Sequence, residues 1–314
     1  MALTVLPMIF LFRHTLPLIA LASTALPCPG ALVGEAPPEP PAAVTPAPAP
    51  APEDPLGRQA WELMKAGKLM TADAFSAEEK APKPGPVALA AARTKPLSGR
   101  ELARHAANCY LRVGWFFQCS RCDKWHTNFS GGYAIATDTA VTAHHVMQPP
   151  ENVKPGTGYA ILVRGEAEVL PVTAVLADDA TVDAVVLRVG TNDLQPLPFS
   201  GDVQVGDSVW CLSDPHGVRN YFSAGIVNRL YVRKGTDDQR ERRINVSTDW
   251  APGSSGAAVL DVCGNAVGHV GSIQGFLGNP KASAPNVPAK QPVITEMVLH
   301  EAISAKSVLT LINR

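Results

Sequence analysis

The chain has 314 residues, with 27 Lys and Arg against 28 Asp and Glu, a net charge of −1 with histidine neutral. That balance supplies no basic face of the kind nucleic-acid binding needs and argues against that class of function. The length admits one large domain or two smaller ones, and no repeat of solenoid period is visible.

The N-terminus is apolar, with Arg13 as its first positive charge, and "TLPLIALASTAL" follows as a short hydrophobic core ending in small residues. That run is too short to span a bilayer and has the length of a signal-peptide core. Residues 1–25 therefore read as a signal peptide, cleaved after Ala25 by a small-x-small rule through Ser23. Cys28 raises a lipid-anchor alternative, although Pro27 sits where a small residue should precede a lipidated cysteine. An uncleaved membrane anchor is the remaining alternative. The chain is expected to be exported, to the periplasm or beyond, or to stay membrane-anchored. Residues 26–56 are rich in Pro and Ala and form an extended linker with no core of its own.

Residues 57–100 form an N-terminal extension. "DPLGRQAWELMKAGKLMTADAFSAEE" predicts one or two short amphipathic helices, with Asp54 or Thr71 as caps, before "KAPKPGP" breaks the chain. From Leu102 onward, short β-branched runs alternate with Gly, Asp, Asn and Pro, as in "GYAIAT", "YAILVR", "AVVLRV" and "RINVST". Such spacing predicts an all-β sandwich or barrel. The tail "TEMVLHEAISAKSVLTLINR" has apolar residues near helical spacing and predicts a C-terminal helix capped by Thr295.

"WAPGSSGAAV" (250–259) raises a chemical question. A linker explains its Gly and Ser but not the small apolar run that follows. A tight turn holding one serine in a cleft explains both. Serine is a poor nucleophile at neutral pH and needs a base, and the base needs a group that fixes its tautomer. Histidine suits the base because it titrates near neutral pH. One histidine pair lies in "AVTAHHVM" and one aspartate in "TVDAVVLRV".

These three segments resemble those of trypsin-like serine proteases of the bacterial, Deg (high-temperature-requirement) type. "VTAHHV" is similar to their histidine segment, "TVDAVVLRV" to their aspartate segment, and "PGSSGAAVLD" to their Pro-Gly-Asn-Ser-Gly-Gly-Pro-Leu. The connecting stretches "VGDSVWCLSDPHGVRNYFSAGIVNRL" and "GNAVGHVGSI" match as well, so the resemblance covers roughly residues 107–275. It implies a chymotrypsin-like double six-stranded β-barrel, the first barrel over 101–200 and the second, with the C-terminal helix, over 201–314. It further implies His145 as base, Asp183 as its orienting carboxylate and Ser255 as nucleophile. The order His, Asp, Ser is that of this fold rather than of subtilisins or α/β-hydrolases. The N–H groups of Gly253 and Ser255 would form the oxyanion hole.

The sequence also departs from the family. Ser254 replaces the aspartate that pairs with a new N-terminus in animal zymogens, which argues against that activation switch. Ala257 replaces the second glycine. Asp249 lies six residues before Ser255, the spacing of a specificity aspartate, and His269 lies on a strand expected to wall the same pocket. No segment after Ile273 is long enough for a PDZ domain.

The cysteines leave alternatives open. The resemblance implies a disulfide between Cys211 and Cys263 in the second barrel. In "CSRCDKWH", Cys119 and Cys122 have zinc-knuckle spacing, and His126 and Cys109 would complete four ligands. In an exported chain a disulfide among Cys109, Cys119 and Cys122 is the competing reading. The expected function is a serine endopeptidase acting on peptides or proteins, requiring no organic cofactor. The rivals are a catalytically silent binding module on the same fold and an interaction protein organised by metal at the hairpin.

Overall fold

The computed structural model describes residues 51–166, 168–233, 241–277 and 295–313. The expected signal peptide, Cys28, the linker up to residue 50 and the proline-containing stretch 278–294 lie outside the described residues. Pro48–Arg314 form one compact unit.

Both expected caps start helices. Asp54 Oδ1 accepts Gly57 N–H (2.7 Å) at the start of α1 (Pro55–Lys65). Thr71 ends the short strand β1 (Met70–Thr71), and its Oγ1 accepts Ala74 N–H (3.2 Å) at the start of α2 (Ala72–Lys80). The extension packs on the barrel. Leu56, Ala60 and Leu69 share a buried cluster with Phe116, Ile161 and Val163, and Phe75 meets Trp115 edge-on with ring centroids 5.6 Å apart. A further helix, α3 (Gly99–Cys109), was not anticipated. Its capping box pairs Ser98 Oγ with Glu101 N–H and Glu101 Oε2 with Ser98 N–H.

The first barrel comprises β2 (Tyr110–Cys119), β3 (Trp125–Ala136), β4 (Thr139–Thr142), β5 (Val153–Arg164), β6 (Glu168–Asp179) and β7 (Ala184–Val189). Its antiparallel order β5-β2-β3-β4-β7-β6 closes through a β5–β6 pairing. The second comprises β8 (Ser208–Ser213), β9 (Tyr221–Val232), β10 (Arg242–Val246), β11 (Ala258–Leu260), β12 (Ala266–Leu277) and β13 (Thr295–Ser304), closed in the order β10-β13-β12-β11-β8-β9. This is the chymotrypsin-like double barrel. Closure leaves neither sheet with an open edge along its length.

The tail corrects the sequence reading. Thr295 caps no helix; it opens β13, which pairs with β12 from Leu277↔Thr295 to Gly268↔Ser304. Helix α4 (Ala305–Ile312) follows, capped by Ser304 Oγ, and buries Val308 and Leu311. Barrel closure demands a sixth strand between β10 and β12, and that pairing overrides the weak helical preference of residues 295–304.

The two barrels share a core. Tyr133, Ile135 and Val141 of the first lie in one buried cluster with Val209, Val259 and Val270 of the second. The cleft opens where β3 and the end of β4 face the turn before β11.

Candidate active site

A 3-10 turn, His144–Met147, follows β4 directly and sends two successive histidines to different partners. His145 is exposed. Its Nδ1 lies 3.0 Å from each Asp183 carboxylate oxygen, and its backbone N–H donates to Asp183 Oδ1 (3.1 Å). Asp183 thus fixes both ring and backbone of residue 145. Burial alone would raise the Asp183 pKa, but the hydrogen bonds and charge of His145 outweigh it and hold the carboxyl below its usual value.

Asp183 has a left-handed backbone, φ +63°, a conformation aspartate tolerates better than most residues. Three groups hold it. Asp179 Oδ1 accepts the N–H groups of Thr181 (2.9 Å) and Val182 (3.1 Å), and Asp179 O accepts Asp183 N–H (2.9 Å). Arg243, buried on β10, donates from Nη2 to Thr181 O (3.1 Å). His269, fully buried on β12, has its Nε2 3.1 Å from Asp183 O. The second barrel therefore sets the position of an aspartate carried by the first.

Ser255 is half-buried at the head of β11. Gly256, with φ +82°, must be glycine, since a Cβ there would lie 2.2 Å from Thr142 Oγ1 and 2.4 Å from Gly131 O. This approach sets Ser255 against the strand end that leads into His145. Ser130 Oγ donates to Ser255 O (2.9 Å), and Gly256 N–H donates to Val270 O (2.8 Å). Ala257 presses on Gly131, where a methyl group would sit 2.7 Å from Ala257 Cβ. The Gly131–Gly132 pair inside a strand was the sequence signal for this close approach.

Within the turn, Ser254, Gly256 and Ala257 all donate their N–H groups to protein carbonyls. The N–H groups of Gly253 and Ser255 have no acceptor among the described residues. Gly253 has φ +99°, and a Cβ there would meet Asp214 O at 2.8 Å. Beside it opens a pocket of about 220 Å³ lined by Tyr110, Arg112, Phe129, Ser130, Asp214 and Arg219, among others. No hydrogen bond joins Ser255 to His145 among the described residues.

His144, which the sequence reading treated as variable, has its own partners. Its Nδ1 lies 2.8 Å from Asp178 Oδ1 and 3.6 Å from Glu79 Oε1 of α2. Gln148 Nε2 bridges to Glu79 Oε1 (2.8 Å). The hydrogen bond that His144 donates to Asp178 is the main cause of a raised His144 pKa, opposed by burial and reinforced by Asp178, Glu79 and Asp183 charge.

Other expected site residues fall elsewhere. His269 is fully buried, and burial lowers its pKa to about 4. Asp249 is exposed, with Tyr221 Oη 3.5 Å from its Oδ2. The adjacent Trp250 is 5% exposed, donates Nε1–H to Ser272 O (3.3 Å) and packs on His300 at 5.0 Å. Trp250 occupies the space over β12 and β13 beside the nucleophile turn.

The cysteines are free thiols among the described residues. Cys211 pairs across the sheet with Val259, and β11 ends at Leu260, so Cys263 lies beyond the strand, out of reach of the Cys211–Cys263 disulfide. Cys109 is buried next to His105 at the other end of β2, away from Cys119, Cys122 and His126, which do cluster. The four-ligand set loses Cys109. Hydrogen bonding from Arg121 N–H lowers the Cys119 pKa to about 7, with burial opposing it and Cys122 and Asn152 contributing further bonds.

Comparison with known proteins supports the fold. The HtrA-type protease AlgW bound to a decapeptide aligns with TM-score 0.51 and 15% identity, over 69% of this chain and 67% of that one. AlgW with a tripeptide aligns at TM-score 0.49 and 17% identity, over 69% of this chain and 63% of its own, so this chain spans less than two thirds of that structure. An inactive form of Rv3671c from M. tuberculosis H37Rv, carrying a serine-to-alanine substitution, aligns at TM-score 0.49 and 17% identity, over 73% and 95% of the two chains. No curated protein matches the chain. The fold is that of the trypsin-like proteases. Residues 130–268 match the sequence model of the trypsin-like peptidase domain. His145, Asp183 and Ser255 all fall within it.

Proposed function

We propose that the protein is a serine endopeptidase that cleaves peptide bonds through an acyl-enzyme. The observation that carries this reading is the turn at 253–255: a half-buried serine flanked by two N–H groups without acceptors among the described residues, packed against the strand end that leads into a histidine held by the half-buried Asp183 carboxylate. Ser255 Oγ attacks the substrate carbonyl while His145 takes its proton. Asp183 holds the imidazole in the Nδ1–H tautomer and stabilises its charged form. The N–H groups of Gly253 and Ser255 receive the developing oxyanion, a contribution worth about 3–4 kcal/mol per donor in such sites. His145 then returns the proton to the leaving amine, and water completes hydrolysis of the ester.

Substrates are peptides or unfolded proteins presented to the cleft. Incubation of the purified chain with a mixed peptide library, read by mass spectrometry, tests the proposal. New termini that are absent with Ser255→Ala support it. An intact library with folded protein leaves the fold as a binding module.

A further inference from the structure

The hairpin between β2 and β3 plays no part in the hydrolysis proposed above, yet it gathers sulfur and nitrogen donors. Cys119 N–H donates to Lys124 O (2.8 Å) and Asp123 N–H to Cys119 O (2.9 Å), with Asp123 in the left-handed region at φ +55°. This tight turn folds Cys122 back over the strand pair. Cys122 Sγ lies 3.1 Å from His126 Nε2, and the Sγ atoms of Cys119 and Cys122 and the His126 Nε2 all lie within 4.8 Å of one another. A tetrahedral zinc with Zn–S near 2.3 Å and Zn–N near 2.0 Å needs ligand atoms roughly 3.3–3.8 Å apart. Cys122 and His126 are exposed and reach that spacing by small side-chain rotations.

The buried sulfur is prepared for this. Cys119 Sγ accepts Arg121 N–H (3.4 Å) and Asn152 Nδ2–H (3.2 Å). Donors aimed at a sulfur favour the charge it carries as a metal ligand. We infer that Cys119, Cys122 and His126 bind one zinc ion, with the fourth position open to water or a carboxylate. Binding displaces a proton from each thiol and leaves the metal's oxidation state unchanged.

The role is structural. His126 lies four positions before Ser130, about 13 Å along an extended strand, too far for the metal to touch the scissile bond. The turn also holds the loop that leaves the histidine pair: Ser120 N–H donates to Asn152 O (2.8 Å), and Cys119 pairs with Val153. A zinc ion there braces the β2–β3 turn, whose Cys119 and Ser120 hold Asn152 and Val153 in the segment following His145.

The test titrates the reduced, full-length protein with Co²⁺ as a spectroscopic probe, followed by Zn²⁺. One equivalent of cobalt giving thiolate charge-transfer and tetrahedral d–d bands, displaced by zinc, is the expected result. Cys122→Ser and His126→Ala should each weaken zinc binding by at least about tenfold, and Cys263→Ser should leave it unchanged. The exposed positions 122 and 126 keep the test valid should Cys119→Ser fail to fold. Absence of the bands in a folded protein, or metal affinity unchanged by His126→Ala, overturns the inference. So does an unreduced chain lighter by two hydrogens that takes up no cobalt after reduction, which would mark a Cys119–Cys122 disulfide.

Discussion

His269 and Asp183 meet across the barrel interface: a fully buried imidazole places Nε2 3.1 Å from the carbonyl of the residue that orients His145. The bond requires a proton on Nε2, and His269 Nδ1 has no partner among the described residues. Replacing His269 with Leu orphans the Asp183 carbonyl and frees its left-handed backbone. The expected cost is about 1–3 kcal/mol of stability, with a fall in kcat larger than any change in KM, measured by denaturant unfolding and peptide kinetics.

The same ring sets an acid limit. Its pKa is depressed from 6.5 to about 4, chiefly by burial, with Asp183 opposing and Arg243 and His145 adding to the shift. Between these values the unfolded chain binds a proton that the folded chain refuses. Stability is full above pH 6.5 and falls as pH drops through the window toward 4, by roughly 3 kcal/mol at its end. Unfolding midpoints measured from pH 7 to pH 4 should show this slope, reduced in His269→Leu.

His144 has the opposite sign. Its pKa is raised by the Asp178 hydrogen bond, so its contribution is present below pH 6.5 and is lost as pH rises through the folded value. Wild type should exceed His144→Gln in melting temperature at pH 5.5, and the difference should shrink by pH 8. An unchanging difference would show that the Glu79–His144–Asp178 contact carries no protonation-linked stability.

Much of this was legible in the sequence, because the residues involved are set by chain-local rules. The caps Asp54 and Thr71 and the β-rich texture after Leu102 rest on short-range patterns, while the segments holding His145, Asp183 and Ser255 were reached through family resemblance. Tertiary demands were not legible. Residues 295–304 became strand because barrel closure required it, and His269 turned inward because the Asp183 carbonyl lay behind it. The Ser98–Glu101 capping box is a short-range signal for α3 that the sequence carries openly. Cys109 was grouped with the hairpin cysteines by number, while ten strand residues carry it to the far end of β2.

Gly131 and Ala257 form a size pair between the barrels. The methyl of Gly131→Ala would sit 2.7 Å from both Ala257 Cβ and Ala257 N. Overpacking of this kind costs about 1–3 kcal/mol and should displace the Ser255 turn. Ala257→Gly should restore Gly131→Ala only in part, because the backbone clash remains. A double-mutant cycle on stability reads the coupling.

Trp250 should limit the side chain accepted before the scissile bond to small residues. Trp250→Ala should raise kcat/KM for Phe relative to Ala by about tenfold or more. Asp249→Ala should leave the ratio for Arg over Ala within about twofold, because an exposed carboxylate outside a desolvated pocket contributes little. A large loss for Arg would restore Asp249 as a specificity residue.

The central claim is that Ser255 is a nucleophile activated by His145. Labelling of the purified chain with a fluorophosphonate probe tests it most directly, since the probe reacts with activated serines. The account predicts stoichiometric labelling of wild type at Ser255, abolished by Ser255→Ala and by His145→Ala. A folded wild type that stays unlabelled, or labelling that persists in Ser255→Ala, would contradict it.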